Sequence, residues 1–271
     1  MSLSLLDQHD GVLFDLDGVL YAGAKAIDGA VEAVAQIRDR GVPCAFVTNN
    51  ASRSAEEVAA HLSAIGIAAE ASQVFGSAPA AIALMGAEMP EGARVLVTGS
   101  AYLRDLVREA GFHLVEDSAD GPDCVIQGFD PDLRWTDLAE AGFAINRGAR
   151  WFATNLDLTI PQGRGIAPGN GALVETVRRA TGTQPISAGK PTPVMFHQAA
   201  EHMSMKDPLV IGDRLDTDIL GGNRAGFTTA LVLTGVDTAE SAEAADSSHR
   251  PDHVISTLGE LFNECTAGVH A

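Results

Sequence analysis

The sequence predicts an α/β fold built on a parallel sheet. Short apolar runs bounded by polar residues alternate with segments whose apolar residues recur at helical spacing. Residues 11–14 are typical of a buried strand, whereas apolar residues at 31, 34 and 37, followed by Gly41, indicate a helix that ends at the glycine. Because strands that alternate with helices usually pair in parallel, we expect a sheet with helices on both faces.

The first and last thirds of the chain share one pattern, in which a strand ends in a polar cluster. In the first third, strands are predicted at 11–14 and 43–47, and a helix with a capping-box start follows from residue 54 to Gly66. In the last third, the main strand is predicted at 208–211, and a helix then runs toward Gly226. Further elements are predicted as helices at 195–203 and 258–265 and strands at 229–233 and 253–255.

The middle third continues the alternation but carries fewer reactive side chains. Strands are predicted within 94–100, 123–128 and 151–157. The stretch 161–171 is rich in Gly and Pro and is predicted to be an irregular loop, with a helix over 172–181 after it. Loops of that length usually have a function or move.

Polar side chains stand at the ends of several predicted strands. In an open parallel sheet, ligands bind beyond the carboxyl ends of the strands, so we expect these side chains to line one crevice. Thr48 and Asn49 could instead cap the next segment, and those of the middle third could touch a substrate or only close a turn. The candidates are Asp15, Asp17, Thr48, Asn49, Asn50, Asn155, Asp157, Lys190, Asp213 and Asp218.

The acidic candidates predict a magnesium site beside a nucleophile. Asp15 and Asp17 point to the same side of the chain, and two carboxylates so close repel unless a cation or a proton lies between them. Mg²⁺ held by Asp15, Asp213 and the Asp17 carbonyl, with Asp218 as a further candidate ligand, fits because every donor is oxygen. Asp213 and Asp218 could otherwise begin a helix, where acidic residues suit the dipole.

The same residues supply the chemistry of phosphate monoester hydrolysis. Asp15 would attack phosphorus to form an aspartyl-phosphate, and Asp17 would protonate the leaving oxygen and later activate water. Thr48 and Asn49 would hydrogen-bond the phosphoryl oxygens, and Lys190 would add a fixed positive charge.

Four segments resemble the motifs of the haloacid dehalogenase-like hydrolases. More narrowly, the chain resembles the NagD/4-nitrophenylphosphatase-type subgroup, to which 153–157 and 168–173 are also similar. The resemblance implies a Rossmann-like core at 1–78 and 187–271, an inserted α/β (type C2) cap at 79–186, a Mg²⁺-dependent phosphatase reaction and often a homodimer formed through the cap. The motif segments are Asp15-Leu16-Asp17-Gly18-Val19, Val47-Thr48-Asn49-Asn50, Gly189-Lys190-Pro191 and Gly212-Asp213-Arg214-Leu215-Asp216-Thr217-Asp218.

Composition narrows the possible partners. The formal net charge is −18, which disfavours nucleic acid and anionic membrane surfaces as partners. The three cysteines are far apart in sequence and lack metal-ligand spacing, so we expect reduced structural thiols. No signal peptide or membrane-spanning run is evident, and we expect a cytoplasmic protein.

Two other functional classes use similar residues. A phospho-accepting signalling module also places a strand-end aspartate beside Mg²⁺ and a lysine, but Asp17 would hasten loss of the phosphoryl group. A catalytically silent anion-binding module would not need intact acid/base and metal residues. The expected substrate is a small phosphate monoester, and sugar or glycerol phosphate, phosphoglycolate, pyridoxal phosphate and nucleotides all remain candidates.

Overall fold

The computed structural model describes residues 3–162 and 164–264. The chain divides into two compact units. The first contains Met1–Thr48, Ala55–Phe75 and Pro191–Ala271, and the second contains Asn49–Ser54 and Gly76–Lys190.

Strands and helices alternate through both units. In chain order the strands are β1 (Gly11–Phe14), β2 (Tyr21–Ala22), β3 (Lys25–Ala26), β4 (Cys44–Thr48), β5 (Val74–Gly76), β6 (Arg94–Thr98), β7 (His113–Val115), β8 (Cys124–Gln127), β9 (Arg150–Ala153), β10 (Thr159–Gln162), β11 (Gly165–Pro168), β12 (Ile186–Ser187), β13 (Pro208–Gly212), β14 (Thr228–Val232) and β15 (His253–Ile255). The α-helices are α1 (Ala30–Asp39), α2 (Ala55–Ala64), α3 (Ser77–Glu88), α4 (Ala101–Glu109), α5 (Trp135–Asn146), α6 (Asn170–Thr181), α7 (Val194–His202), α8 (Leu220–Ala225) and α9 (Ala239–Ala244).

The first unit is a Rossmann-like core around a six-stranded sheet in the order β15-β14-β13-β1-β4-β5. Strand β1 lies between β13 and β4 and pairs in parallel with both. All four residues of β1 are buried, as expected for a central strand covered on both faces. Phe14 is aligned with Ile211 on one side and Phe46 on the other, so the residues that follow these three strands emerge at the same edge of the sheet.

The second unit has its own parallel sheet, in the order β12-β9-β8-β6-β7. One face of this sheet packs against α5 and α6 in an apolar core that includes Leu96, Val125 and Trp151. Strands β10 and β11 form a separate antiparallel hairpin. The α/β fold with an additional, inserted sheet is therefore confirmed.

The helix expected to run toward Gly226 is present, and it begins as a π-helical turn, Leu215–Ile219, before α8. Two other local predictions were wrong. The stretch 161–171 is not irregular throughout, because Thr159–Gln162 and Gly165–Pro168 pair as the β10–β11 hairpin, in which both strands are edges and proline is tolerated. The closing helix is a 3₁₀ turn, Leu258–Phe262, and Cys265 lies outside the described residues.

Across the described residues, no helix is both long and apolar enough to cross a bilayer.

Candidate active site

Three carboxylates meet at the carboxyl edge of the first unit's sheet. Asp15 follows β1 and Asp213 follows β13. The two strands are paired up to this point, since the Asp15 N–H donates to the Ile211 carbonyl at 2.8 Å. Asp218 joins them from the next turn. One oxygen of each carboxylate lies within 4.8 Å of the others. Asp213 and Asp218 are each only 1% exposed, so this edge concentrates negative charge where water screens it poorly.

The loop after β14 holds Asp213 from the other side. The backbone N–H of Val236 donates to Asp213 Oδ2 at 2.8 Å, and that of Asp237 donates to the Asp213 carbonyl at 3.0 Å. The chain can approach this closely because residue 235 is glycine: a Cβ there would lie 2.0 Å from Asp213 Oδ2. Gly18 has a φ of +86°, and its Cβ position lies 2.2 Å from the same oxygen. Two glycines thus leave the room that the Asp213 carboxylate occupies.

A π-helical turn brings Asp218 back toward the strand end. The backbone N–H of Ile219 donates to the Arg214 carbonyl at 3.1 Å, and Arg214 N–H donates to Asp218 Oδ2 at 3.2 Å. Gly212 makes the return possible, since a Cβ there would lie 2.1 Å from the Asp218 Cβ. The wider turn sets Asp218 beside Asp213, five residues earlier. Single π-helical turns are frequent at functional sites.

Asp17 lies in the turn that follows β1 and is exposed. The hydroxyl of Tyr21 donates to Asp17 Oδ2 at 3.4 Å, and the Tyr21 ring is 96% buried against the edge of the His61 ring. Thr234 Oγ1 donates to the Gly18 carbonyl at 2.7 Å and so fixes the same turn. The Asp17 carboxylate therefore stands on a turn anchored at two points, one of them a buried aromatic side chain.

Thr48 ends β4, the strand on the other side of β1, and is 3% exposed. Thr48 therefore lies at the same edge of the sheet as Asp15, the edge formed by the carboxyl ends of the strands. Asn50 belongs to the next stretch of chain, where its Oδ1 accepts hydrogen bonds from the Ser52 backbone N–H at 2.9 Å and the Ser52 hydroxyl at 2.8 Å. That contact gives Asn50 a turn-forming role, whatever its part in binding.

Four further candidates lie together in the second unit: Asn49, Asn155, Asp157 and Lys190. Asn49 Nδ2 donates to Asp157 Oδ1 at 2.8 Å, and Lys190 N–H donates to Asn49 Oδ1 at 2.8 Å. Asn155 Nδ2 donates to the Asn49 carbonyl at 2.8 Å. Lys190 is 3% exposed. The sequence predicted all four as site residues but did not predict that they bond to one another.

The donor set of the first unit fits a hard divalent cation. Asp15, Asp213 and Asp218 offer only oxygen, which Mg²⁺ prefers, and no histidine or cysteine belongs to this group in the described part of the chain. Three carboxylates at this spacing repel one another unless a positive charge is placed among them. The arrangement can therefore hold a metal ion next to Asp15, whose exposure is intermediate.

Sequence reasoning missed the groups that support these carboxylates. Tyr21, Val236 and the glycine at 235 carry no motif signal, and their importance follows from how the chain folds back around Asp17 and Asp213. A sequence hint exists for two supporting glycines, Gly18 and Gly212, because each directly adjoins an acidic residue.

Comparison with known proteins finds matches along most of the chain. Residues 12–113 match the model of a family described as haloacid dehalogenase-like hydrolase, and residues 187–261 match a second model described as HAD-hydrolase-like. The chain is 44% identical over 261 residues to a D-glycerol 3-phosphate phosphatase of Mycobacterium tuberculosis, a match that covers 96% of this chain and 73% of that protein.

Solved structures agree with this match. A crystal structure of a glycerol phosphate phosphatase from Mycobacterium tuberculosis in complex with magnesium is similar with a TM-score of 0.91 and 43% identity, over 97% of this chain and 79% of that one. A p-nitrophenyl phosphatase from Archaeoglobus fulgidus is similar with a TM-score of 0.83 and 30% identity, over 94% of this chain and 98% of that one.

Proposed function

Because the chain belongs to the haloacid dehalogenase-like hydrolases, in their NagD/4-nitrophenylphosphatase-type subgroup, we propose that it hydrolyses a small phosphate monoester through an aspartyl-phosphate on Asp15. The chain is a phosphoric monoester hydrolase with Mg²⁺ as its cofactor. The observation that carries the proposal for Asp15 is its position at the end of β1, within 4.8 Å of the oxygens of two buried carboxylates.

In the proposed first half-reaction, a carboxylate oxygen of Asp15 attacks phosphorus. The bond from phosphorus to the ester oxygen breaks, and Asp17 gives its proton to that oxygen as the alcohol leaves. In the second half-reaction, Asp17 takes a proton from water, whose oxygen attacks the same phosphorus. The bond to Asp15 then breaks and inorganic phosphate is released, with both aspartates returned to their starting states.

The metal site is proposed to use Asp15, Asp213 and Asp218, with the Asp17 carbonyl as a further ligand. When bound there, Mg²⁺ would supply positive charge that offsets the negative charge of the carboxylates and of the phosphoryl group. The chain's part is to hold the ligands in place: the Val236 N–H and the π-helical turn fix two carboxylates before any substrate arrives. Such preorganisation lowers the cost of reaching the transition state.

Phosphate binding is proposed for Thr48, Asn49 and Lys190, which would contact the phosphoryl oxygens, Asn49 through its backbone N–H because its side-chain amide is bonded to Asp157 and Lys190. Asn50, Asn155 and Asp157 are proposed to contribute to substrate binding. The second unit, predicted as the cap at 79–186, would exclude bulk water and admit compact substrates. These roles are supported by the motif positions of the residues and by the buried contacts among them.

The substrate is a small phosphorylated metabolite, and glycerol phosphate is the first candidate. Support comes from the relative that is 44% identical and is a D-glycerol 3-phosphate phosphatase. We also propose a homodimer formed through the cap, which light scattering of the purified protein would test, and a cytoplasmic location, which cell fractionation would test.

The decisive experiment measures phosphate release with Mg²⁺ from a panel of phosphomonoesters by the wild type and by Asp15→Asn. The panel contains p-nitrophenyl phosphate, glycerol 3-phosphate, a sugar phosphate, phosphoglycolate, pyridoxal phosphate and a nucleotide. We expect turnover by the wild type and none by Asp15→Asn, with an unchanged circular dichroism spectrum. Release of phosphate by Asp15→Asn would contradict the nucleophile assignment. A phosphorylated wild type that survives for hours would instead favour the signalling alternative, and an inert wild type would favour the silent anion-binding one.

A further inference from the structure

The side-chain amide of Asn49 makes two hydrogen bonds to the backbone of Lys190, one to its N–H and one to its carbonyl. Asn49 Oδ1 accepts the Lys190 N–H at 2.8 Å, and Asn49 Nδ2 donates to the Lys190 carbonyl at 3.1 Å. Asn49 is 8% exposed and Lys190 is 3% exposed, so both bonds are shielded from water. A side-chain amide that bonds both the N–H and the carbonyl of a residue fixes its backbone, and hence the point from which its side chain extends.

Asp157 fixes the orientation of that amide. The Asn49 Nδ2 also donates to Asp157 Oδ1 at 2.8 Å, so both hydrogens of the Asn49 amide are used. Only the oxygen of the amide can accept from the Lys190 N–H, and only its nitrogen can donate to a carboxylate, so the three partners allow one orientation. Asp157 is held in turn, since its backbone N–H donates to Asn155 Oδ1 at 3.2 Å.

The residue before the lysine allows this close pairing. A Cβ at Gly189 would lie 2.7 Å from Asn49 Oδ1 and 2.6 Å from the Thr154 carbonyl oxygen, both shorter than real Cβ contacts. Because residue 189 has no side chain, the backbone at 189–190 can lie directly against the Asn49 amide.

We propose that Asn49 and Asp157 are positioning residues for Lys190, which set where its ammonium group is presented to the phosphoryl group. The inference rests on the proposed role of Lys190 in phosphate binding. The two N–H groups of the Asn49 amide are already donated to Asp157 and to the Lys190 carbonyl. The Asn49 side chain therefore has no hydrogen to donate to a phosphoryl oxygen in this arrangement, and its role is to hold the lysine backbone.

A swap of the two side chains tests the pairing. Asn49→Asp removes both donors and sets two carboxylates about 2.8 Å apart, the distance of the bond it replaces. Asp157→Asn keeps an oxygen that can accept from Asn49. The double variant Asn49→Asp/Asp157→Asn restores one donor between the two side chains and keeps the acceptor for the Lys190 N–H. Asn146→Asp adds the same charge at an exposed position of the second unit and is the matched control.

We expect Asn49→Asp to lower kcat/KM by on the order of 10²-fold, because a displaced catalytic group costs that much. The double variant should recover about 10-fold, and Asn146→Asp should match the wild type. The inhibition constant of inorganic phosphate separates positioning from general damage. In a Lys190→Met background, Asn49→Asp should raise that constant by a smaller factor than it does when Lys190 is present, because the group that Asn49 positions is gone and only the repulsion from the added charge remains.

Two results would overturn the inference: a double variant no more active than Asn49→Asp, or an undiminished effect of Asn49→Asp in the Lys190→Met background. Absence of turnover by the wild type would instead refute the proposed function. In that case the melting temperatures of the variants test the pairing of Asn49 with Asp157. A double variant that melts at a higher temperature than Asn49→Asp supports the pairing, and one that melts at the same temperature refutes it.

Discussion

Substitution of Gly235 by alanine should weaken metal binding without touching a ligand. A Cβ at this position would lie 2.0 Å from Asp213 Oδ2 and 2.5 Å from Asp213 Cγ, whereas real Cβ contacts are essentially never shorter than 3.0 Å. The carboxylate must therefore move by about 1 Å or the loop must retreat, and retreat would stretch the 2.8 Å bond from the Val236 N–H. Gly235 does not have a positive φ, so the methyl group introduces steric overlap and no left-handed strain.

The size of the effect follows from the geometry that magnesium requires. Mg²⁺ demands near-ideal octahedral coordination at roughly 2.0–2.1 Å, and a displacement of about 1 Å is several times the tolerance of roughly 0.2 Å for a metal ligand. Changes in the groups that hold metal ligands typically cost about 10- to 100-fold in metal affinity or activity. We therefore expect Gly235→Ala to raise the Mg²⁺ concentration for half-maximal phosphate release by that factor, with activity partly restored by excess Mg²⁺.

The assay is phosphate release from p-nitrophenyl phosphate after removal of metal with EDTA and titration with MgCl₂. Gly86→Ala is the matched control, since a Cβ at this exposed position of α3 meets nothing within 4 Å. It should leave the Mg²⁺ dependence unchanged and raise the free energy of unfolding by about 0.5–1 kcal/mol. A Gly235→Ala protein with the wild-type Mg²⁺ dependence would refute the account of how Asp213 is held.

Three further outcomes are expected. Tyr21→Phe removes the donor to Asp17 and should slow hydrolysis of an alkyl phosphate more than that of p-nitrophenyl phosphate, whose leaving group needs little protonation; rates on both esters measure this. Burial raises the pKa of the Cys124 thiol to about 12, so it should resist alkylation at pH 8 until the protein unfolds, as mass spectrometry of labelled peptides would show. Hydrogen bonds from Arg178 and then Arg179 lower the pKa of Glu175 from 4.5 to about 2. The contribution of the Glu175 carboxylate to the free energy of unfolding is therefore complete above about pH 4.5 and lost as the pH falls through 2. Urea unfolding of the wild type and of Glu175→Gln at pH 7, 4 and 2 would measure it.

Each outcome has a result that would contradict it. Equal slowing of both esters by Tyr21→Phe would mean that the hydroxyl does not act through Asp17. Alkylation of Cys124 in the native protein would contradict its burial. A stability difference between wild type and Glu175→Gln that is the same at pH 7 and pH 2 would show that the arginine contacts in α6 contribute nothing that depends on the glutamate's charge.

The parallel core was predictable because its strands are marked at both ends. Residues 11–14 form β1 as predicted, and β13 differs from its predicted bounds of 208–211 only by the addition of Gly212. Both are apolar runs that stop at an aspartate, and a strand buried on both faces leaves few other ways to arrange such a run. The meeting of Asp15 and Asp213 followed from parallel pairing alone, since strands that run side by side end at the same edge.

The irregular parts were not predictable, for different physical reasons. The π-helical turn at 215–219 and an α-helix have the same apolar pattern over five residues, and what separates them is the backbone bond from the Ile219 N–H to the Arg214 carbonyl, five residues earlier. The β10–β11 hairpin was missed because glycine and proline normally interrupt strands, a rule that is relaxed when neither strand has a second neighbour.

The support around the site depends on contacts between residues far apart in the chain. Asn49 and Lys190 are 141 positions apart, and neither segment contains a sequence pattern that predicts the bond between the Asn49 amide and the Lys190 backbone. Tyr21 reads as an ordinary core aromatic, and only its position in the fold shows that its hydroxyl reaches Asp17. Candidate site residues can thus be predicted from motifs in the sequence, whereas the groups that hold them in place depend on contacts made only in the folded chain.

The position of β1 between β4 and β13 sets the order in which the nascent chain can fold. Asp15 is translated early, but its neighbouring strand β13 begins at residue 208, which at about 5–20 residues per second leaves the ribosome roughly 10–40 s later. The sheet of the second unit is complete at Ser187 and requires nothing from the C-terminal third. The second unit can therefore fold before β13 is available to pair with β1, and the carboxylate cluster of Asp15, Asp213 and Asp218 is among the last features to form.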